Sequence, residues 1–469
     1  MSDRSRTRGS LHRPSFRTIA VFLLAATLQM NGCAHSTQLS TVSRIPELRE
    51  AYQVQGLAVT AVAGEQIILA EGFGMTSDDR AYTSTTPCGL YSATKVLASL
   101  TYAKLAQEKR IRLDAPLGEY LSDSPEDWKD IPFFRLLNHS SGLSIVVDKP
   151  EFAALASNPD AKNEQIYRML KGAPLDYAPG QFSRYRQSGY VVGEVILRDQ
   201  LGVSFSDLIE QYVTTPAGML RTVHSSKNEE IQPSIILSAG GYETTAEDMA
   251  RLFLGINRGT IIEPSDWKTL LLDEKYLFDD YSLGSVIENR KDVLTLGHSG
   301  GGARANVRYA PNQRVGVMVC TDDRQNNLLA LTLARMLVDE IVSGQKPKTP
   351  LFVALSQHQS WTGAEVVAAY ERAAQEPERF DLSDSEPLLN GIGYSFLERE
   401  KAADAINVFS LNTRLHPKSA NTNDSLGEAL LAAGAVDEAL AQYRKVLALD
   451  PGNAHATGMI EKIEARLGR

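Results

Sequence analysis

Tyr91-Ser92-Ala93-Thr94-Lys95 stands at the head of a run with helical spacing. Cys88-Gly89 breaks the chain before it, and Leu90 and Tyr91 read as extended. Over residues 93–109 the apolar Val96, Leu97, Leu100 and Leu105 recur at helical intervals. Residues at i and i+3 share a helix face, so the Lys95 amine can approach the Ser92 hydroxyl. The helix N-terminus adds unpaired N–H groups and a positive dipole end, which favour alkoxide character. A serine hydroxyl is a poor nucleophile until something takes its proton, and a lysine desolvated beside other cationic groups can do so. Ser265-Asp266-Trp267-Lys268 and Ser343-Gly344-Gln345-Lys346 share the pattern, but neither opens a long apolar helix after an extended segment. Taken alone, Ser92 also fits an ordinary N-cap serine followed by a solvated lysine. The rest of the chain decides between the two.

Before this stretch, apolar residues alternate over 57–62 and 67–70 about Gly64-Glu65, as in a hairpin. After it, helical spacing covers 117–121, 133–137, 166–170 and 191–212, broken at Pro179-Gly180 and at Pro216-Ala217-Gly218, and returns over 246–254. Residues 293–296, 305–310 and 315–320 read as strands, with Pro311-Asn312-Gln313 as the turn between the last two, and a helix follows near 328–341. Strands at both ends with helices between them predict an α+β fold. Its antiparallel sheet is flanked by helices and a mostly helical lobe, and its N- and C-terminal strands adjoin.

At 469 residues the chain exceeds one compact domain. Its 43% hydrophobic and 22% charged content is that of a globular protein. A net charge of −9, with no basic cluster in the body, argues against a nucleic-acid partner. The N-terminus differs. Arg4, Arg6, Arg8, Arg13 and Arg17 precede an apolar run over 19–30 and then Asn31-Gly32-Cys33. That is a secretory signal over residues 1–32, too short in its apolar part for a membrane span. Gly32-Cys33 is similar to the end of a bacterial lipobox, whose cysteine is acylated after cleavage, although Met30-Asn31 departs from the usual residues. The expectation is an exported chain, periplasmic or membrane-anchored by a lipid on Cys33, with a leader over 33–43; an exported protein with an incidental Cys33 is the alternative. Cys88 and Cys320 are expected as two buried free thiols, with a disulfide as the alternative in an oxidising compartment. No Cys/His cluster has metal-ligand spacing, so neither metal nor cofactor is expected.

Beyond Lys346-Pro347-Lys348-Thr349-Pro350 lies an internal repeat. Gly393, Ala405, Phe409 and Pro417 recur 34 residues later as Gly427, Ala439, Tyr443 and Pro451. That is the tetratricopeptide period. The small residues let two helices of a unit approach closely, and residues 453–467 make a capping helix. Such an array implies a protein partner; a generic helical-hairpin extension is the plain alternative.

Several segments in order resemble one family. They are Tyr91-Ser92-Ala93-Thr94-Lys95, the stretch 136–143 (LLNHSSGL), the stretch 179–190 (PGQFSRYRQSGY), Ala239-Gly240-Gly241-Tyr242 with Glu247-Asp248, and Gly297-His298-Ser299-Gly300. Over residues 55–322 the chain resembles the penicillin-recognising serine hydrolases, most of all the class C β-lactamase, D-alanyl-D-alanine peptidase and esterase branch. The resemblance implies an acyl-enzyme on Ser92, with Lys95 and Tyr185 sharing the proton as base and then acid. A tyrosine titrates near 10 and needs a neighbouring cation such as Lys95 to act as a phenolate. Gln187 replaces the family's usual asparagine, keeping the amide but lengthening its reach by about 1.5 Å. By the same resemblance Ser92 and Gly301 supply the oxyanion N–H groups, Gly300 lets the edge strand approach the acyl group, and His298 replaces the strand lysine of β-lactamases while still offering a hydrogen bond. His139 reads as structural, bonding backbone in its loop. The substrates implied are esters, small amides, β-lactams or D-amino-acid peptides.

The expected organisation is thus a signal over 1–32, a leader over 33–43, a hydrolase domain over 44–345, a linker with a helix over 346–385 and tetratricopeptide-like repeats over 386–469. Three other readings compete. Gly297-His298-Ser299-Gly300-Gly301 matches Gly-x-Ser-x-Gly, which needs a strand-to-helix turn and a downstream histidine; only His358, His416 and His455 lie downstream. Alternatively the domain senses cell-wall peptide without turnover and the repeats relay to a partner. In the third, the repeats alone are functional.

Overall fold

The computed structural model describes residues 39–145, 150–156, 158, 161–224, 237–321 and 328–468. The expected signal and Cys33 lie outside the described residues. Strands β1 (Gly56–Ala63) and β2 (Gln66–Gly74) form the expected hairpin. They join β3 (Tyr281–Ser282), β4 (Ser285–Arg290), β5 (Val293–Gly300), β6 (Ala305–Ala310) and β7 (Val315–Thr321) in one antiparallel sheet, ordered β2-β1-β7-β6-β5-β4-β3. The first and last long strands pair, Val59 opposite Val319, as the sequence predicts.

Both faces of the sheet are covered, which is why β1 is buried up to its last residue and β7 throughout, with Thr60 and Thr321 the polar residues among their apolar ones. Successive side chains alternate between faces. Leu57, Val59 and Ala61 pack with Val317 and Val319 under the C-terminal helix Leu329–Ser343 and the N-terminal helix Ile45–Ala51. Ala58 and Val62 face the other way with Met318 and Cys320, into a larger core shared with helices α1 (Thr94–Gln107), α2 (Asn163–Lys171) and α3 (Ser188–Leu201), the one-turn α4 (Leu237–Gly240) and α5 (Ala246–Asn257). The candidate site residues lie between this helical half and the C-terminal end of β5, which is an interior strand of the sheet and not the edge strand the reading of His298-Ser299-Gly300 implied.

Cys88 and Cys320 form a disulfide, with Cα atoms 6.4 Å apart. This corrects the expectation of two free thiols. The two-residue strand Cys88–Gly89 runs into the Ser92 turn, and Cys320, next to last in β7, points into the same core as Cys88. Sequence separation hid a proximity that the assembled fold creates.

The C-terminal lobe is mostly helical, with helix packed on helix. Residues 346–385 carry two helices, Leu351–Leu355 and Gly363–Ala374, and a short parallel ladder joining Thr349–Pro350 to Phe380–Asp381. Phe352 stacks on Tyr52 at 4.3 Å between ring centroids, and Arg290 pairs with Asp339 and Asp381, so this segment is packed onto the hydrolase-like half. Helices Ser385–Glu398, Ala402–Leu415, Ala420–Ala432, Val436–Leu449 and Ala454–Leu467 follow. A Cβ at Gly393 would strike Phe409 and one at Gly427 would press on Tyr443, so each glycine admits the aromatic ring of the next helix. Among the described residues no helix is long and apolar enough to cross a membrane.

Candidate active site

Ser92 sits in a single 3-10 turn, Tyr91–Ala93, that feeds directly into α1. The expected extended lead-in is absent. Leu90 is helical, and Tyr91 takes a left-handed φ of 47°, costly for a bulky residue and worth of order 1–3 kcal/mol of strain. The turn is over-determined by its neighbours. The Leu90 N–H donates to the Tyr242 carbonyl at 2.8 Å, and the Ala93 N–H returns to the Leu90 carbonyl at 2.9 Å. Arg304 lies over the Tyr91 ring and donates to its hydroxyl at 2.9 Å. Ser92 caps nothing: neither this turn nor α1 has a side-chain cap bond. The N-cap alternative therefore falls.

Lys95, one turn on, is fully buried. Its Nζ donates to the Tyr185 hydroxyl at 2.8 Å, to Gln187 Oε1 at 2.9 Å and to the Ala239 carbonyl at 2.8 Å. Burial pulls the Lys95 amine below its ordinary value, while the Tyr185 hydroxyl beside it holds it up. Burial pushes the Tyr185 phenol up, but the Lys95 charge and hydrogen bonds with Lys95, Ser92 and Gln187 outweigh it and bring the phenol below 10. The Tyr185 hydroxyl is therefore bonded to Lys95 and near enough to Ser92 to feel its hydroxyl. The longer Gln187 loses no contact: it reaches Lys95, and its Nε2 lies 3.4 Å from the Tyr185 hydroxyl.

Tyr185 is delivered by the loop before α3, and the loop is fastened around His139. The His139 ring lies 4.6 Å from the Tyr185 ring and 4.9 Å from Tyr281 between centroids, and its Nδ1 meets the Arg186 backbone. Its carbonyl accepts from the Arg184 N–H and the Tyr177 hydroxyl. Burial, with Lys95 and His298 nearby, holds this imidazole well below its ordinary range, so it stays neutral. The Tyr190 ring carries Lys95 Nζ 4.8 Å from its centroid.

Strand β5 closes the other side. Gly300 backs onto the Ser92 turn so tightly that a Cβ there would stand 3.0 Å from the Ser92 nitrogen and 2.9 Å from that of Ala93. Gly301, at φ 58°, turns beneath the Tyr91 ring. His298 is buried, and burial first, then the Lys95 charge, drives it down to about 3. Its Nδ1–H donates to the Ser299 carbonyl, so Nε2 carries a lone pair. The sequence reading offered His298 as a donor; in this tautomer its free nitrogen is an acceptor. Ser299 lies within the strand, its hydroxyl accepting from Asn306, and β6 follows after a turn. The strand-to-helix turn needed for Gly-x-Ser-x-Gly is missing, and that reading fails.

The structure thus gathers Ser92, Lys95, Tyr185, Gln187, His298, Gly300 and Gly301 around one point. Sequence reasoning missed Arg304, which holds Tyr91, and the Ala239 carbonyl, since every residue has a carbonyl and only the fold selects one. Among the described residues, one group of donor atoms lies close enough together for a metal ion: Asp424, Glu428 and His455, in the helical lobe, within 4.8 Å of one another. Within it His455 Nδ1 lies at hydrogen-bond distance, 3.0 Å, from Asp424.

Comparison with known proteins agrees with this geometry. The family description Beta-lactamase matches residues 42–338. A putative D-alanyl-D-alanine carboxypeptidase of Escherichia coli K12 is 24% identical over 299 residues, 59% of this chain and 65% of that protein. Esterase EstB of Burkholderia gladioli is 27% identical over 186 residues, 37% of this chain and 47% of the esterase. The chain thus spans under two thirds of the length of these relatives. Among solved structures, D-amino acid amidase of Ochrobactrum anthropi SV3 superposes with a TM-score of 0.54 at 18% identity, covering 64% of this chain and 100% of the amidase. The octameric penicillin-binding protein homologue of Pyrococcus abyssi gives 0.54 at 20% identity, over 66% and 77%. At these identities the structural likeness speaks for the fold.

Proposed function

This chain belongs to the beta-lactamase family of penicillin-recognising serine hydrolases, which act through an acyl-enzyme, and from that premise we propose that Ser92 is its nucleophile and Tyr185, held by Lys95, its base. The observation that carries the proposal is the 2.8 Å bond from Lys95 Nζ to the Tyr185 hydroxyl, with Ser92 one helical turn from Lys95 and close enough to that hydroxyl to lower its proton affinity. Tyr185 takes the Ser92 proton as Oγ attacks an acyl carbonyl, and returns it to the leaving group. The N–H groups of Ser92 and Gly301 hold the oxyanion. Water then reverses the steps and frees the acid.

The substrates are esters, β-lactams or D-amino-acid peptides and amides. His298, neutral and buried, places no positive charge on the strand to anchor a carboxylate, which supports ester or amide turnover over efficient β-lactam hydrolysis. Export to an oxidising compartment, with a lipid on Cys33 as the membrane tether, is supported by the disulfide between Cys88 and Cys320. The helical lobe, whose glycine and aromatic positions repeat, is the proposed tetratricopeptide-like surface for a protein partner.

The test is Ser92→Ala against wild type on p-nitrophenyl esters, a chromogenic β-lactam and D-alanyl peptides, with intact-mass detection of a fluorophosphonate adduct. Wild type should turn over at least one class and carry the adduct on Ser92; Ser92→Ala should do neither while unfolding at the same temperature. Turnover surviving in the variant would end the assignment.

A further inference from the structure

Glu194 is the one acid in an otherwise buried, largely apolar stretch of α3, and it is 5% exposed. A carboxyl in such a place is costly unless every lone pair is matched. Here each neighbour is a donor. Oε1 accepts the Ser238 backbone N–H at 2.7 Å and the Ser238 hydroxyl as well, and Oε2 accepts the Asn163 amide. Ser238 is completely buried. The next residue is Ala239, whose carbonyl accepts from Lys95 Nζ at 2.8 Å.

These contacts define a path. Ser238 and Ala239 belong to α4, a helix of four residues, Leu237–Gly240. One turn cannot hold itself, because its first N–H groups and last carbonyls have no partners within it. Glu194 supplies the acceptor at one end, and Lys95 supplies the donor at the other. From this we infer that Glu194 is a positioning residue for the pair of Lys95 and Tyr185, acting through Ser238 and the Ala239 carbonyl to fix where the lysine amine sits and how much charge it carries. The inference rests on the proposed roles of Lys95 and Tyr185.

Burial lifts the Glu194 carboxyl to about 7, against the pull of the Ser238 and Asn163 bonds, so it changes charge within the working range of an enzyme. The groups facing it are Asn163 from α2, Ser238 from α4, and the phenols of Tyr102 from α1 and Tyr242 from the small strand Tyr242–Thr244. Both phenols are pushed up by burial and by Glu194 itself and stay neutral. Beyond the Ala239 carbonyl lies the Lys95 amine. When Glu194 is ionised, all three donors are matched and α4 is held. When it is protonated, its new O–H needs an acceptor; Asn163 Oδ1, buried and without a partner, is the one at hand beside Oε2, and the uncharged carboxyl holds the two Ser238 donors on Oε1 more weakly. The Ser92 base should therefore weaken as pH falls through about 7.

The experiment measures the rate of Ser92 labelling by a fluorophosphonate probe, and of p-nitrophenyl butyrate turnover, from pH 5.5 to 9 in the full chain. Wild type should show an acid limb with a midpoint near the value of Glu194. Glu194→Gln, which keeps the shape and the Ser238 acceptor, should flatten that limb between pH 6 and 8 and lower the pH 8 rate about three- to tenfold with KM unchanged. Ser238→Ala removes one bond to the carboxylate and should move the midpoint upward. A role in folding alone would move neither midpoint. An unchanged limb in both variants, with Ser92 still labelled, overturns the inference; a wild type labelled elsewhere or not at all overturns the Ser92 reading beneath it.

Discussion

Gly300→Ala tests the closest approach in the site. A Cβ at this position would lie 3.0 Å from the Ser92 nitrogen, 2.9 Å from the Ala93 nitrogen and closer still to the Leu90 carbonyl oxygen. An ordinary C···O contact is about 3.3 Å or more, so strand and turn must part by more than about 1 Å. Neither side yields easily. Gly300 is locked in register opposite Ala305, and the Ser92 turn is fixed by Tyr242 and Arg304. Shifting a nucleophile by about 1 Å typically costs 10²-fold in rate, or about 2.7 kcal/mol of transition-state stabilisation. The expected result is a loss of about 10²-fold in kcat on a p-nitrophenyl ester. Fluorophosphonate labelling of Ser92 should slow in parallel, and near-UV circular dichroism should stay close to wild type. Turnover within threefold of wild type would refute the reasoning, because the strand edge and the nucleophile turn would then not be in contact during catalysis.

Two further outcomes follow from buried features. Replacing Cys88 and Cys320 by serine opens a loop closed over 232 residues, for which chain-entropy scaling gives about 5 kcal/mol, the upper end of what disulfides contribute; chemical denaturation should show a loss of about 3–5 kcal/mol, and an unchanged midpoint would count against the bridge. Glu194→Gln should also change how stability depends on pH. A carboxyl raised from 4.5 to about 7 in the folded chain costs stability as pH climbs through that window. The variant escapes the cost and should gain about 2–3 kcal/mol on wild type between pH 5 and pH 8. A constant difference across that range would show that Glu194 titrates normally.

Much of this was legible in the chain because the relevant signals are local. The β1–β2 hairpin follows from alternation about Gly64-Glu65, and the serine-lysine pair from helical spacing after a breaker. Tyr185 was found by its place after Pro179-Gly180, where the loop indeed brings it to Lys95. What escaped has no local signature. The left-handed Tyr91 involves no glycine; it is imposed by Arg304, far along the chain. The disulfide depends on the end of β7 lying beside the two-residue strand Cys88–Gly89 of a second sheet, a property of the assembled fold. Glu194 drew no reading in the sequence, because an acid among the apolar residues of a helix acquires meaning only once Ser238 and Ala239 are in place.

The three bonds of Lys95 bear on which member of the proposed catalytic pair, Lys95 or Tyr185, holds the proton. An ammonium has three N–H donors, and three acceptors surround Nζ: the Tyr185 hydroxyl, Gln187 Oε1 and the Ala239 carbonyl. A neutral amine has two donors and a lone pair, and the Tyr185 O–H can donate to that lone pair, so all three contacts are also met with the proton on oxygen. The set of partners therefore fits a single proton shared between Lys95 and Tyr185. A buried ammonium among neutral acceptors is itself costly, and the acceptor able to offset it by ionising is the Tyr185 phenol, already drawn below its ordinary value by Lys95. Hydrogen bonding and charge are both satisfied when the pair shares one proton, and Tyr185 can serve as the proposed base for Ser92 when that proton rests on nitrogen. On this reading Lys95 acts on the nucleophile through Tyr185. Gln187 fits the same logic: its oxygen completes the lysine's shell from one methylene further away, so the departure from asparagine preserves the charge state.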